Sequence, residues 1–322
     1  MNFYSYSTQL AQHNSDIETH WQNSEQGYLK ASSGKLFYSY HIPKTAKYSV
    51  VLVNGRIESA WKYQELLWEL AQNNIAVFTY DHIGQGLSER LTPNPQVGYI
   101  KKFTDYGDDL NAFIEKIVTP LQQGPLFILA HSMGAAVSCD YLSRYSPAIN
   151  GAFLSAPMFD IHTHNTPYKL AKWVAKIGCW VGLSKHYAFG QSNYLPVAFD
   201  ENQLTHCHTR YQRFRSLYQK ETELCLGGVS FNWLNEVFNF IEKIPSLNIT
   251  TPLLIASAEQ DEVVNNRAHT QFIKTHPNAH IKTFANAKHE LLCEKDDIRH
   301  SVLNEFYLFC DSLGLTAKET GS

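Results

Sequence analysis

Ala130-His131-Ser132-Met133-Gly134 joins an apolar run, 125–129, to the helix-forming Ala135-Ala136-Val137. A strand that enters a sharp turn and leaves as a helix raises a serine hydroxyl above the end of a sheet. The segment follows the G-x-S-x-G nucleophile-elbow pattern, with Ala130 in place of the first glycine. A serine hydroxyl is a weak nucleophile at neutral pH, so it needs a base and a carboxylate that orients the base. Downstream, 251–257 reads as a buried strand, and Asp261 lies just past its end, with Glu259 and Glu262 as flanking alternatives. A further short strand, 281–284, leads into the loop that carries His289, and a helix over Arg267–Thr275 fits between acid and base. Each residue alone has an ordinary reading: Ser132 and Asp261 as helix N-caps, His289 as one of fifteen histidines. Their order and strand context together predict acyl transfer through a serine ester, with Ser132 as nucleophile, His289 as base and Asp261 as its orienting acid.

Such chemistry requires two backbone N–H donors aimed at the developing oxyanion. One is expected from Met133, the residue after the nucleophile. The other is expected from the loop after the strand 48–53, Asn54-Gly55-Arg56-Ile57-Glu58-Ser59, with the N–H of Arg56 as the donor. Gly55 allows a tight backbone path there and also suits an ordinary turn.

These segments carry a family resemblance. Asn54 to Ser59, Asp81-His82-Ile83-Gly84-Gln85-Gly86-Leu87-Ser88, Ala130 to Gly134 and Lys288-His289-Glu290 stand in the order seen in the monoacylglycerol lipase and lysophospholipase branch of the α/β-hydrolases. Ala156-Pro157-Met158-Phe159 and the Ala130 substitution resemble the bacterial lysophospholipases of that branch, and the similarity runs from about residue 26 to about 312. Asn54 departs from the histidine usual in monoacylglycerol lipases and leaves the backbone donors untouched. The resemblance implies a serine hydrolase that cleaves lysophospholipids to a fatty acid and a glycerophosphodiester, with no metal or organic cofactor. The alternatives are a monoacylglycerol lipase or general carboxylesterase, then a serine peptidase or a non-catalytic lipid-binding module. Gly84 and Gly86 lack the third, helix-opening glycine of a phosphate cradle, so 81–88 is read as structural.

Strand spacing sets the architecture. Two short strands near 28–31 and 36–40 form an opening hairpin, and strands near 48–53, 75–80, 125–130, 151–156, 251–257 and 281–284 alternate with helical stretches. The expected fold is an α/β-hydrolase with a mostly parallel sheet flanked by helices. Its core spans 1–156 and 248–322. The interval 157–247, which holds no convincing core strand, is a mainly helical cap inserted over the site.

The cap is expected to choose the substrate. Leu170, Trp173, Val174, Ile177, Trp180 and Val181 fall on one helical face, with Lys169, Lys172 and Lys176 elsewhere on the turn. Such a face packs on neighbouring helices, lines an acyl-chain tunnel or lies on a membrane surface. Trp173, Ile177 and Trp180 are the candidates for acyl contact, and Arg210 and Arg213 for the head-group phosphate, although three arginines in six residues also suit a solvated helix face.

Composition agrees. In 322 residues with 44% hydrophobic and 18% charged content there is material for one large folded unit, and a net charge of −3 gives no pull towards nucleic acid. Six scattered cysteines without a C-x-x-C pair read as free thiols in a reducing compartment. His206-Cys207-His208 lacks further ligands at metal-binding spacing. No run of about twenty apolar residues is present, and the N-terminus has neither the basic start nor the apolar core of a signal peptide. A cytoplasmic protein is therefore expected, with any membrane contact local and peripheral at the inner membrane. Its partner is a lysophospholipid or other monoacyl lipid. Composition says nothing of oligomeric state.

Overall fold

The computed structural model describes residues 1–319 apart from 146, 164 and 165, with the backbone alone for 315–319. Its strands are β1 (Glu25–Lys30), β2 (Lys35–His41), β3 (Tyr48–Val53), β4 (Ile75–Tyr80), β5 (Leu126–His131), β6 (Gly151–Ser155), β7 (Leu253–Ala258) and β8 (Ala279–Phe284). The helices are α1 (Asn14–Asn23), α2 (Gln64–Gln72), α3 (Thr104–Phe113), α4 (Met133–Tyr145), α5 (Tyr168–Trp180), α6 (His208–Lys220), α7 (Phe231–Ile241), α8 (Arg267–Thr275) and α9 (Asp296–Glu319). One sheet results, in the order β1-β2-β4-β3-β5-β6-β7-β8. Its pairings are parallel from β4 onward and antiparallel only where β2 meets β1 and β4. The fold is that of the α/β-hydrolases.

The inner strands are unbroken apolar runs because both faces of the sheet are covered. Along β3, Tyr48, Val50 and Leu52 point into the layer formed with α1, α2 and α9, while Val51 and Val53 point into the layer with α3, α4, α7 and α8. Phe127 and Leu129 of β5 alternate with Ile128 and Ala130 in the same way. The helices are stopped and started by local chemistry. Asn74, at φ 58°, takes the left-handed position after α2, and Ser230 caps α7 by accepting from the Trp233 N–H at 3.1 Å.

Between β6 and β7 the described residues add no strand to the sheet and form α5, α6 and α7. Ala175 and Gly178 are the buried positions of α5, and a Cβ at Gly178 would collide with the Phe231 ring of α7. Small residues therefore bring these two helices close, and the face that carries the tryptophans is turned away.

The turn between β5 and α4 leaves no room for a side chain at position 134. A Cβ on Gly134 would run into the carbonyl oxygens of Val53 and Asn54 at the end of β3. Gly134→Ala should therefore lower stability by about 1–3 kcal/mol in urea denaturation. Wild-type stability in that variant would mean that β3 and α4 do not meet this closely.

Candidate active site

Four loops at the C-terminal ends of parallel strands converge. Ser132 follows β5, Asp261 follows β7, His289 follows β8, and Gly55 and Arg56 follow β3. Ser132 sits at φ 52°, in the left-handed region that non-glycine residues avoid. Its backbone is held on both sides: its N–H donates to Ser155 O at 3.0 Å, and its carbonyl accepts from Met158 N–H at 3.0 Å and Ala135 N–H at 3.1 Å. The hydroxyl so raised lies 3.0 Å from His289 Nε2, and His289 Nδ1 lies 2.8 Å from Asp261 Oδ2. The other oxygen of Asp261 accepts the N–H groups of Val263 and Val264 at 2.9 and 3.0 Å. Burial would push the Asp261 carboxyl up, but the hydrogen bond and charge of His289 and these amides hold it below its ordinary value. A charged Asp261 fixes the Nδ1–H tautomer, which leaves Nε2 free to accept the serine proton.

The loop after β3 lies against this relay: a Cβ on Gly55 would come 3.2 Å from Ser132 Cβ. The Gly55 N–H is already claimed by the Glu58 carboxylate. Among the described residues, neither the Met133 nor the Arg56 N–H has a backbone acceptor. Segment 81–88 braces the same loop. Gln85 donates to Gly55 O at 2.7 Å and Glu58 O at 3.0 Å, His82 bonds Asn54 O at 2.9 Å, and Asp81 accepts the Ala60 and Leu87 N–H groups. The Gly84–Gly86 turn is thus folded around a carboxylate of the chain itself.

Reading the sequence missed an ion cluster beside the relay. Lys62 reaches Glu58 at 2.6 Å and Glu290 at 2.5 Å, and all three side chains are buried. Glu58 also accepts from Tyr63 Oη at 2.8 Å. Burial would raise the Glu58 carboxyl, yet Lys62, His131 and the hydrogen bonds from Lys62 and Tyr63 outweigh it and hold it at about 2. His131, 4.9 Å ring to ring from His289, is pushed down to about 4, chiefly by burial, and stays neutral. Glu58 and Lys62 are four apart, a visible signal, but Glu290 is brought in only by the fold.

A cavity of about 500 Å³ opens at Ser132 and His289. Met158, Ile161, Val263, Val264 and Trp233 supply apolar lining, and 190–195 and 226–229 contribute loops. Trp173, Ile177 and Trp180 do not line it, which corrects the expectation of an acyl contact. Since Ala175 and Gly178 face α7, Trp173 and Trp180 remain 63% and 87% exposed. Arg210 and Arg213 are also elsewhere. Arg210 is buried between Glu65 at 2.9 Å and Asp296 at 2.8 Å, tying α6 to α2 and α9, and Arg213 bonds Asn14 of α1. That face of α6 turns towards the core. Phe214 and Arg215, further round the helix, reach the cavity. His206 is held by Glu294 at 2.9 Å, and among the described residues no cluster of three or more His, Cys, Asp or Glu is placed to bind a metal.

A serine–histidine–carboxylate relay on the strand ends of such a sheet defines the α/β-hydrolase class. The family model described as serine aminopeptidase, S33 (Hydrolase_4) matches residues 44–296, and the chain belongs to that family. It is 35% identical to "Probable lysophospholipase L2" of Haemophilus influenzae, over 84% of this chain and 86% of that one. It is 34% identical to lysophospholipase L2 of Escherichia coli K12, over 79% of this chain and 78% of that one. A solved structure of a soluble variant of monoglyceride lipase from Saccharomyces cerevisiae in complex with a substrate analog superposes with a TM-score of 0.71. It is 20% identical and covers 90% of this chain and 96% of its own.

The Glu58 carboxyl titrates near 2 in the folded chain against an ordinary 4.5. Its stabilising contribution is therefore complete above pH 4.5 and is lost as the pH falls towards 2. Glu58→Gln should be less stable than wild type at neutral pH, by a margin that shrinks through that window in denaturation curves. A margin independent of pH would show that Glu58 is not held ionised by Lys62.

Proposed function

We propose that the chain is a serine carboxylic-ester hydrolase that cleaves the acyl ester of lysophospholipids, giving a free fatty acid and a glycerophosphodiester. The observation that carries the reading is the unbroken Ser132–His289–Asp261 relay at the floor of a largely apolar cavity. The two relatives named lysophospholipase L2 support the substrate.

Ser132 Oγ attacks the ester carbonyl as His289 Nε2 takes its proton, and Asp261 stabilises the imidazolium that forms. The N–H groups of Met133 and Arg56 receive the oxyanion; the capture of the Gly55 N–H by Glu58 supports Arg56 as the donor of that loop. His289 then protonates the departing glycerol oxygen and, in the second half-reaction, activates the water that frees the fatty acid.

Segment 157–247 acts as the cap over this site. Its outward apolar side chains, Leu170, Trp173, Trp180 and Val181, with Phe189 and Leu195 next to the cavity mouth, suit a lipid surface from which a monoacyl substrate is drawn. Lys169 and Lys176 on the same helix favour anionic lipid, while Lys172 is paired with Glu242 at 2.6 Å. No described helix is long and apolar enough to cross a membrane. The six free cysteines fit a reducing compartment and so support contact from the inner face of the membrane.

Fatty-acid release from lysophosphatidylethanolamine should exceed release from a monoacylglycerol of the same chain. Ser132→Ala should reduce it by about a millionfold and Asp261→Asn by about ten-thousandfold. A preference for the glyceride, or full activity in Ser132→Ala, would overturn the reading. Separately, Trp173→Ser with Trp180→Ser should weaken sedimentation with phosphatidylethanolamine–phosphatidylglycerol vesicles by about tenfold or more. Unchanged sedimentation would remove the cap face from membrane contact.

A further inference from the structure

Two arginines in the wall of the Ser132 cavity have no carboxylate within ion-pair reach among the described residues. Arg56 donates through Nη2 to the Gly227 carbonyl at 2.5 Å and lies over the Trp233 ring at 5.2 Å, while its buried Nε has no partner. Arg215 donates to the phenol oxygens of Tyr194 and Tyr211, each at 2.7 Å, and lies against the Tyr211 and Phe214 rings. Its Nε is likewise buried and unpartnered. Elsewhere Arg144 pairs with Asp108 and Asp140, Arg210 with Glu65 and Asp296, and Arg299 with Glu69, while Arg90 and Arg213, which do not line this cavity, bond neutral oxygens. The carboxylates that do reach this cavity, Glu58 and Glu290, are both taken by Lys62. Arg56 remains a cation at neutral pH, since burial lowers it only to about 10.

Strand order gives these charges a direction. Ser132 follows β5, which lies between β3 on one side and β6 and β7 on the other. Arg56 belongs to the loop after β3. The apolar Met158, Ile161, Val263 and Val264 belong to loops after β6 and β7. An ester bound at Ser132 thus meets the apolar Met158, Ile161, Val263 and Val264 towards β6 and β7, and towards β3 the uncompensated Arg56 guanidinium lying over Trp233. A monoacyl phospholipid is divided in the same sense, with its chain on one side of the scissile ester and its one obligatory anion on the other.

We propose that the Arg56 and Arg215 guanidiniums form the recognition site for the head-group phosphodiester, and that these side chains, separate from the acid–base relay, set the preference for a lysophospholipid over a monoacylglycerol. The planar fork of each guanidinium matches phosphate oxygens, and the ring faces around Arg215 hold its fork in place without neutralising it. The inference rests on the lysophospholipase reading and adds to it the groups that read the substrate.

The test is the ratio of kcat/KM for lysophosphatidylethanolamine to that for a monoacylglycerol of the same chain. In Arg215→Gln the ratio should fall by roughly 10- to 100-fold, mainly through KM for the phospholipid, and Arg215→Lys should restore part of it. Arg56→Gln should move the ratio in the same direction. If wild type prefers the phospholipid and neither variant changes the ratio, the arginine assignment is overturned while the lysophospholipase reading stands. If wild type prefers the glyceride, that reading fails and this inference fails with it. A competition assay on the wild-type protein covers the case of a variant that does not fold. Glycerophosphoethanolamine should inhibit hydrolysis of a neutral p-nitrophenyl ester at concentrations where glycerol does not, and equal effects of the two would overturn the assignment.

Discussion

Ser132 is held at φ 52° at the point where β5 becomes α4, and this turn constrains everything around it. A left-handed non-glycine residue costs of order 1–3 kcal/mol, so it persists only where its surroundings leave no alternative. Here the surroundings are the Ser155 carbonyl, the Met158 N–H and the end of β3, which approaches so closely that a Cβ at position 134 would run into its carbonyl oxygens. That approach puts the loop after β3 against the serine. Without it, Gly55 would not lie against Ser132, whose hydroxyl His289 holds.

Charge is distributed around this turn with the same economy. Lys62 ties Glu58 to Glu290, and Glu58 ties Lys62 to the Gly55 N–H, so one buried cation links the loop after β3 to the residue next to His289. A buried pair is no strong source of stability, because desolvation offsets most of the attraction. Its effect here is positional: the loop can move only if a carboxylate is left unpaired. His131, kept neutral by burial, separates this cluster from His289 and adds no charge beside the base.

The elements and relay could be read from the chain because both depend on local pattern. The strands 48–53 and 75–80 and the helix Arg267–Thr275 are where apolar runs and helical spacing put them, since a sheet covered on both faces needs unbroken apolar strands. Ser132, Asp261 and His289 meet because each follows a strand of one parallel sheet, and chain order decides which edges they share. Direction on a helix was not legible. The tryptophans of α5 look like its packing face, but Ala175 and Gly178 permit a closer approach to α7 and win that contact. Arg210 and Arg215 lie in one arginine-rich run, and only the carboxylates of α2 and α9 decide that the first is structural and the second faces the cavity. Glu290 joins Lys62 across 228 residues, a contact no spacing rule reaches.

Chemistry and selectivity therefore draw on different parts of the chain. The relay, its turn and the loop after β3 come from the sheet and are tied into it by backbone hydrogen bonds and buried charge. The walls of the cavity come largely from the segment between β6 and β7, whose loops at 190–195 and 226–229 carry the partners of Arg215 and Arg56. Changes in those loops can alter which ester is held without disturbing the Ser132 turn, because no hydrogen bond of the relay passes through them. The converse does not hold. Arg56 carries both the N–H proposed as oxyanion donor and the guanidinium proposed for the head group, so on that reading a displacement of the loop after β3 disturbs chemistry and recognition together. Glu58 and Gln85 restrain that loop from two sides.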